Sequence, residues 1–526
     1  MKKKVSKKPL AIMVAVTLFA GLLAACGSNN GNQGNTSTGT NVKDNNGNTS
    51  KEVVTLDLFV DQTWWPLKDF KGKIPEQITL KTGVKLNITV ATDEKQLPLM
   101  IASGDLPDLV ATGTGAQIKR LSDPKMSYSW QELIDQYATD FKIDPEYIAV
   151  NTEEDGKYYT IRNNFSTAAE WKANEKYALT DGAGITVRSD IMEAIGNPEI
   201  KTMEDFNTLL GMVKTKYPDM IPLVLNPNPA WAKGYIGMQF GAMKDGMVEK
   251  DGKLVHALRT PELEQMYLYM NELYRNGYIK AENFAYKNED QAKQIMTSGK
   301  GFAYAWTTSG ASRIGAETKD TNYKWMQLPA KISESFKSEH YGSGWQGVFI
   351  TKKNKNPEAA IKLMQFLLSD EGQRLALWGI EGTDYNMSED GGYPIFTYDR
   401  ASDEVKNSMG VYWWGLLAGN AVNEALGTYV PGTETTKANQ ELSALTTFMP
   451  EIGLVQPAAD SQEQVTTNNI TNMIDNEEAK IYMATSEEAA KKAFENMVKQ
   501  ADKMGMDKLE QWANTKYEEV KANFNK

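Results

Sequence analysis

The chain has 526 residues, a formal net charge of −11 and one cysteine, Cys26. An acidic balance disfavours nucleic acid, whose binding relies on Lys and Arg neutralising phosphates, and a polybasic membrane-binding surface. A single cysteine excludes an intrachain disulfide, two histidines (His256 and His340) exclude a histidine-rich metal site, and the length requires two or more lobes held by core packing.

The chain opens with five lysines (Lys2, Lys3, Lys4, Lys7, Lys8), an apolar stretch from about Leu10 to Leu23, and then Leu23-Ala24-Ala25-Cys26. A positive segment, a short apolar segment and small residues at the cut describe a secretory signal. The apolar run is shorter than the ~20 residues that span a bilayer. Loss of residues 1–25 removes five lysines and no acid, which moves the net charge from −11 to −16. Residues 27–50 contain one apolar side chain, Val42. They cannot offset their ordering entropy and read as a flexible tether, with an r.m.s. reach of about 27 Å.

Val53 to Val60 reads as a strand, followed by a loop with Trp64-Trp65-Pro66 and a helix to about Thr82. Val84 to Val90 alternates with period two, as a second strand would. A helix over Gln96–Ala102 follows, and then Ser103-Gly104-Asp105-Leu106-Pro107-Asp108 turns into a third strand. This alternation implies parallel pairing through crossovers. Asp155-Gly156 and Asp251-Gly252 read as hairpin turns, with a strand over Gly184–Arg188 between them. Thr202-Met203-Glu204-Asp205 reads as a capping box that opens a helix with Phe206, Leu209, Leu210 and Val213 on one face. Thr260-Pro261 and Asn356-Pro357 start two more helices, the second ending near Gly372. Residues 486–504 and 507–524 read as helices joined at Gly505.

Catalytic signatures are scarce. Gly342-Ser343-Gly344-Trp345-Gln346-Gly347 matches G-x-G-x-x-G, but strand-like Val348-Phe349-Ile350 follows where a dinucleotide site needs a helix. There is no Walker loop, no G-x-S-x-G elbow and no H-E-x-x-H. With two histidines, a Ser-His-Asp or Cys-His nucleophile is poorly supported. Paired carboxylates of a glycoside hydrolase remain open, because spacing along the chain does not fix the distance between two acids.

Five segments in chain order resemble the extracellular solute-binding proteins of the carbohydrate type (family 1). They are Ser103-Gly104-Asp105-Leu106-Pro107-Asp108, Arg188-Ser189-Asp190, the run Met296 to Trp306, the run Asn356 to Gly372, and Lys503-Met504-Gly505-Met506-Asp507. Leu23-Ala24-Ala25-Cys26 resembles the lipobox of bacterial lipoproteins. Together they look like the large lipoprotein branch of Gram-positive bacilli. The resemblance implies an α/β, two-lobed periplasmic-binding-protein-like fold (type II) with a hinge of crossing strands and extra C-terminal helices. It implies a signal peptide over 1–25, a tether over 26–50, a first lobe from 51–165 plus 302–372, and a second from 166–301 plus 373–526. It also implies a diacylglycerol thioether on Cys26, a monomer on the outer face of the cell membrane, and delivery of an oligosaccharide to the permease of an ABC importer, with no catalysis and no cofactor. Some large members carry a calcium loop after the helix that here starts at Thr202. The segment Lys216-Tyr217-Pro218-Asp219-Met220-Ile221-Pro222 lacks its Asp/Asn/Gly run, so no metal is expected.

Sugar rings have an apolar C–H face that an aromatic side chain covers without demanding hydrogen bonds, and a rim of hydroxyls that polar side chains pair. Twelve tryptophans stand in the chain. Trp64, Trp65, Trp171, Trp231, Trp306, Trp345 and Trp413 lie beside turns or strand ends and are the candidate sugar plates, with Asp61 and Arg188 as polar partners. Trp378 and Trp512 sit in helical patterns that read as core. Two other readings remain open: a surface-anchored glycoside hydrolase, and a same-fold binder of a peptide or another solute.

Overall fold

A computed structural model describes residues 53–153, 155–242, 246–286, 288–400, 402–457 and 461–524. Cys26, the signal segment and the tether lie outside the described residues. Residues 51–526 form one compact unit.

The first sheet contains β1 (Val54–Val60), β2 (Val84–Val90) and β3 (Leu109–Thr112). The second contains β4 (Ala183–Arg188), β5 (Ile221–Leu225), β6 (Gly301–Thr307) and β7 (Trp325–Gln327). Between the sheets run β8 (Ser338–His340), then β9 (Gly347–Ile350), which returns to the first sheet, and later β10 (Thr446–Phe448). The strand orders are β9-β3-β1-β2 and β5-β6-β4-β7. β1 pairs in parallel with both β2 and β3, as the alternating pattern required, and β9 pairs antiparallel to β3. The residues after Gly342-Ser343-Gly344 thus form a strand, which removes the dinucleotide reading.

Each sheet is buried on both faces, which is why its central strands are near-continuous apolar runs. On the first, Leu56, Leu58 and Val60 face one cluster with Ile74, Trp130 and Ile361, while Phe59, Val110 and Phe349 face another. On the second, Ile185, Val187 and Leu223 join a core with Phe206, Leu209 and the C-terminal Met473, Phe494 and Met497. The predicted helices occur at Lys73–Thr82, Gln96–Ser103, Met203–Lys216, Pro261–Arg275, Glu487–Met504 and Met506–Phe524. Thr202 and Asp205 close a reciprocal capping box, and Gly505 ends its helix at φ 104°. Pro357–Leu368 stops earlier than expected, because the Ser369 hydroxyl accepts from Gly372 N–H and starts a new helix, Asp370–Trp378.

The molecule therefore has the two-lobed periplasmic-binding-protein-like fold, but the lobes divide the chain differently from the expectation. β6 lies inside the second sheet, paired with β4 and β5, so residues 302–307 do not belong to the first lobe. Leu375, Ala376, Val411, Trp414 and Leu417 pack into the first core, so the stretch after 372 does not pass at once to the second lobe. An apolar pattern fixes that a face is buried, not which of two cores receives it.

Candidate functional site

Both sheets turn their carboxyl edges toward the crossing segments. Thr112 at the end of β3 lies opposite Gly347, directly after the chain returns through residues 341–346. Thr307 at the end of β6 lies opposite Ala183, directly after the chain leaves the first lobe through residues 175–182. The hinge itself is a ribbon in which β8 and β10 run parallel, with Ser338 opposite Thr446. In open α/β sheets ligands bind outside the carboxyl ends of the strands, so these two edges form the candidate cleft.

On the first-lobe edge, Asp61 follows β1 and its Oδ2 accepts from Thr112 Oγ1 at 2.7 Å and Thr114 Oγ1 at 3.4 Å. Its Oδ1 has no partner among the described residues. Burial pushes this carboxyl above its ordinary range; the threonine hydrogen bonds oppose the shift and Glu94 adds to it. Beside it the exposed Trp64 stacks on the half-buried Trp345, with ring centroids 5.9 Å apart and planes 18° from parallel. Trp345 N–H donates to Asn163 O at 3.0 Å while Asn163 N–H donates to Gln346 O at 2.9 Å, and the indole packs on Gly113, where a Cβ would sit 2.3 Å from its Nε1. Trp65 is buried and meets Trp413 edge-on at 6.1 Å and Trp414 at 6.0 Å. Trp413 is half-buried against Tyr412, whose φ of 76° is rare for a residue with a side chain.

On the second-lobe edge, Trp231 follows β5 on the turn capped by Asn228 and packs half-buried against the cluster of Val224 and Trp306. Asp181 precedes β4. Its side chain is exposed and makes no hydrogen bond or ion pair among the described residues, yet the protein around it pushes its carboxyl up, with Arg313 opposing. Arg313 lies with its guanidinium 4.0 Å from the Trp306 ring centre.

At the hinge, Trp171 stacks on Phe448 at 5.1 Å and 27°, and His340 meets Phe448 edge-on at 5.3 Å. These rings, with Asn164, Ser166 and Gly342, line a recess of about 240 Å³. A larger cavity of about 850 Å³ lies elsewhere, between Met192, Ile200, Met203 and the segment from Met326 to Glu334, and presents no aromatic ring.

Of the candidates, Asp61, Trp64, Trp345, Trp171, Trp231 and Trp413 therefore stand at the edges or the hinge. Three do not fit the expectation. Trp65 and Trp306 are 2% and 1% exposed, each enclosed by its own core, and have no free face to offer. Arg188 stands at the far end of β4, beyond Val187, which pairs with Ala303 near the start of β6. There it forks onto Asp190 at 2.7 and 2.5 Å and lies 3.7 Å from the Tyr323 ring centre, a structural use. Asp181 and Arg313 were not anticipated; the Asp-Gly step before a strand that follows a polar crossing was the available signal for the first.

No curated protein matches the chain in sequence. Solved structures share its fold at low identity. The alginate-binding protein AlgQ2, without calcium ion, is 18% identical with a TM-score of 0.62, covering 88% of this chain and 98% of that one. An HMO-binding, ABC-transporter-associated solute-binding protein from Bifidobacterium longum infantis is 14% identical with a TM-score of 0.65, over 88% and 98%. The S. pneumoniae ABC-transporter substrate-binding protein FusA, in complex with kestose, is 17% identical with a TM-score of 0.65, over 89% and 100%. The sequence model described as bacterial extracellular solute-binding protein matches residues 73–408, from the first helix of one lobe through both sheets. The chain belongs to the bacterial extracellular solute-binding protein family.

Proposed function

We propose that this protein captures an oligosaccharide outside the cell between its two lobes and delivers it to the permease of an ABC importer. The observation that carries the reading is the Trp64–Trp345 stack, which lies partly open to solvent at a carboxyl edge beside an acid with an unpaired oxygen. Such a plate covers the C–H face of a sugar and the acid accepts from its hydroxyls, since a hydroxyl unpaired in a dry cleft costs about 1–3 kcal/mol. Trp171, Trp231 and Trp413 would supply further apolar surface from the hinge and both walls. Three proteins of the same fold are described as binding alginate, HMO and kestose, two of them with ABC transporters, which supports the solute class. Closure about the β8–β10 ribbon would exclude water and present a surface that the permease distinguishes from the empty form.

The protein acts as a monomer and holds its solute without turnover. It is anchored through a diacylglycerol thioether on Cys26, with residues 26–50 as leash, on the outer face of the membrane of a Gram-positive bacillus. No described helix is long and apolar enough to cross a membrane. Residues 51–526 should show saturable quenching of tryptophan fluorescence with one class of oligosaccharide and release no reducing ends from it. A broad glycan panel in which nothing shifts fluorescence or melting temperature would remove the reading. For the anchor, replacing Cys26 by Ser should free the protein into the medium.

A further inference from the structure

We infer that the cleft is built for an uncharged oligosaccharide and turns away uronate-bearing glycans, an inference that rests on the carbohydrate reading above. The argument is a count of where charge stands and what neutralises it. On the first-lobe edge, Asp61 offers Oδ1 with no donor among the described residues, and Glu94 is near enough to add to its field. On the second-lobe edge, Asp181 has no hydrogen bond and no ion pair among the described residues. The hinge recess is lined by Glu146 and Glu451 and by no Lys or Arg.

Two cations near these surfaces are engaged by the protein itself. Arg162 donates to Val150 O at 2.8 Å and to Asn151 Oδ1 at 3.1 Å. Lys406 pairs with Asp403 at 2.8 Å and lies 5.5 Å from the Trp413 ring centre. Arg313 offsets Asp181, and its guanidinium lies over the Trp306 ring. Desolvation raises the carboxyls of Asp61, Asp181 and Glu146 alike, against the threonine hydrogen bonds at Asp61, Arg313 at Asp181 and the Ala168 backbone hydrogen bond at Glu146.

An ionised carboxylate can only accept hydrogen bonds. A sugar hydroxyl supplies the missing donor and brings no charge. A uronate set on the same plates would face these acids at short range in a poorly solvated site, where like charges repel strongly. The same walls that orient a neutral glycan therefore exclude an acidic one.

The test uses the whole chain in a mild detergent, with calorimetry at low and physiological salt. Gluco-, fructo-, manno-, xylo- and galacto-oligosaccharides are compared with oligogalacturonates and oligoalginates of matched length. At least one neutral glycan should bind, with every uronate glycan weaker by about 100-fold or more. A uronate glycan that binds as tightly as the best neutral one overturns the inference and leaves the carbohydrate reading standing. Silence from both classes overturns both. The neutral ligand and its counterpart oxidised at one primary alcohol are then measured on Asp61→Asn and Asp181→Asn, each checked for an unchanged melting curve. The neutral-to-uronate ratio should shrink about tenfold in at least one variant; a ratio that holds in both refutes the assignment to these acids, whichever variant folds less well.

Discussion

The Trp64 indole lies over the Trp345 indole at 5.9 Å, and the same Trp64 touches buried Trp65 at 6.2 Å. Trp65 in turn meets Trp414, and Trp414 meets Phe70 at 4.8 Å. One exposed ring is thus the outer end of a chain of rings that reaches the core of the first lobe. The outer plate is held in place before any solute arrives, so less rotamer freedom remains to be lost on binding.

Adjacent tryptophans should then respond oppositely to the same change. Trp64→Ala removes a ring that is 54% exposed; stability should move by no more than about 0.5 kcal/mol, while affinity for the solute falls about tenfold. Trp65→Ala opens a cavity in the core and should cost about 3–5 kcal/mol. Urea denaturation and calorimetry on the two variants decide it. A Trp64→Ala protein that unfolds early, or a Trp65→Ala protein that does not, contradicts the division of roles.

Gly113 gives a finer test of the same plate. It has no need of a left-handed backbone, but an added methyl would overlap the Trp345 indole. The ring must swing away, and with it the stack on Trp64. Gly113→Ala should therefore weaken solute binding several-fold and reduce the tryptophan quenching, with a melting temperature close to the parent's. Unchanged affinity would mean that the stack is not the binding surface.

Much of the fold was legible in the sequence, for local reasons. The capping box at Thr202, the Asp251-Gly252 turn with φ of 52° and 81°, and the Gly505 stop are chemistry within a few residues. Strand alternation gave the first three strands in order. What could not be read was partnership across distance. Trp64 and Trp65 are neighbours in the chain with the same side chain, and only the burial of one face of the loop separates a plate from a core residue. Arg188 sits at a strand end, but β4 runs antiparallel to β6, so its end is the wrong edge. Asp181 is a lone acid in a loop, and the Arg313 that acts on it lies 132 residues further along the chain.

The hinge recess predicts a different split. Trp171 stacks on Phe448, a residue of the crossing ribbon. Trp171→Ala should lower affinity and also leave the ribbon less restrained, so that the radius of gyration falls less on adding solute than in the parent. Small-angle scattering with and without solute reads this directly. A variant that closes as the parent does but binds weakly would assign Trp171 to contact alone.

Glu424 should make stability depend on pH. It sits on the helix Ala421–Leu426, its Oε1 is buried without a hydrogen-bond partner, and burial pushes its carboxyl up to about 7. Arg400 opposes the shift but makes no ion pair with it among the described residues; that guanidinium lies over Phe396 at 4.9 Å instead. The folded protein therefore holds a proton that the unfolded chain, titrating near 4.5, has already lost. Between those values the native state binds more protons, so stability falls as pH rises, and above the upper value it levels off. The full effect is on the order of 3 kcal/mol. Glu424→Gln keeps the shape and cannot ionise. It should match the parent at pH ~4 and exceed it by that amount at pH ~8 in urea denaturation. Parallel pH profiles for the two proteins would show that the carboxyl ionises in the fold as freely as in water.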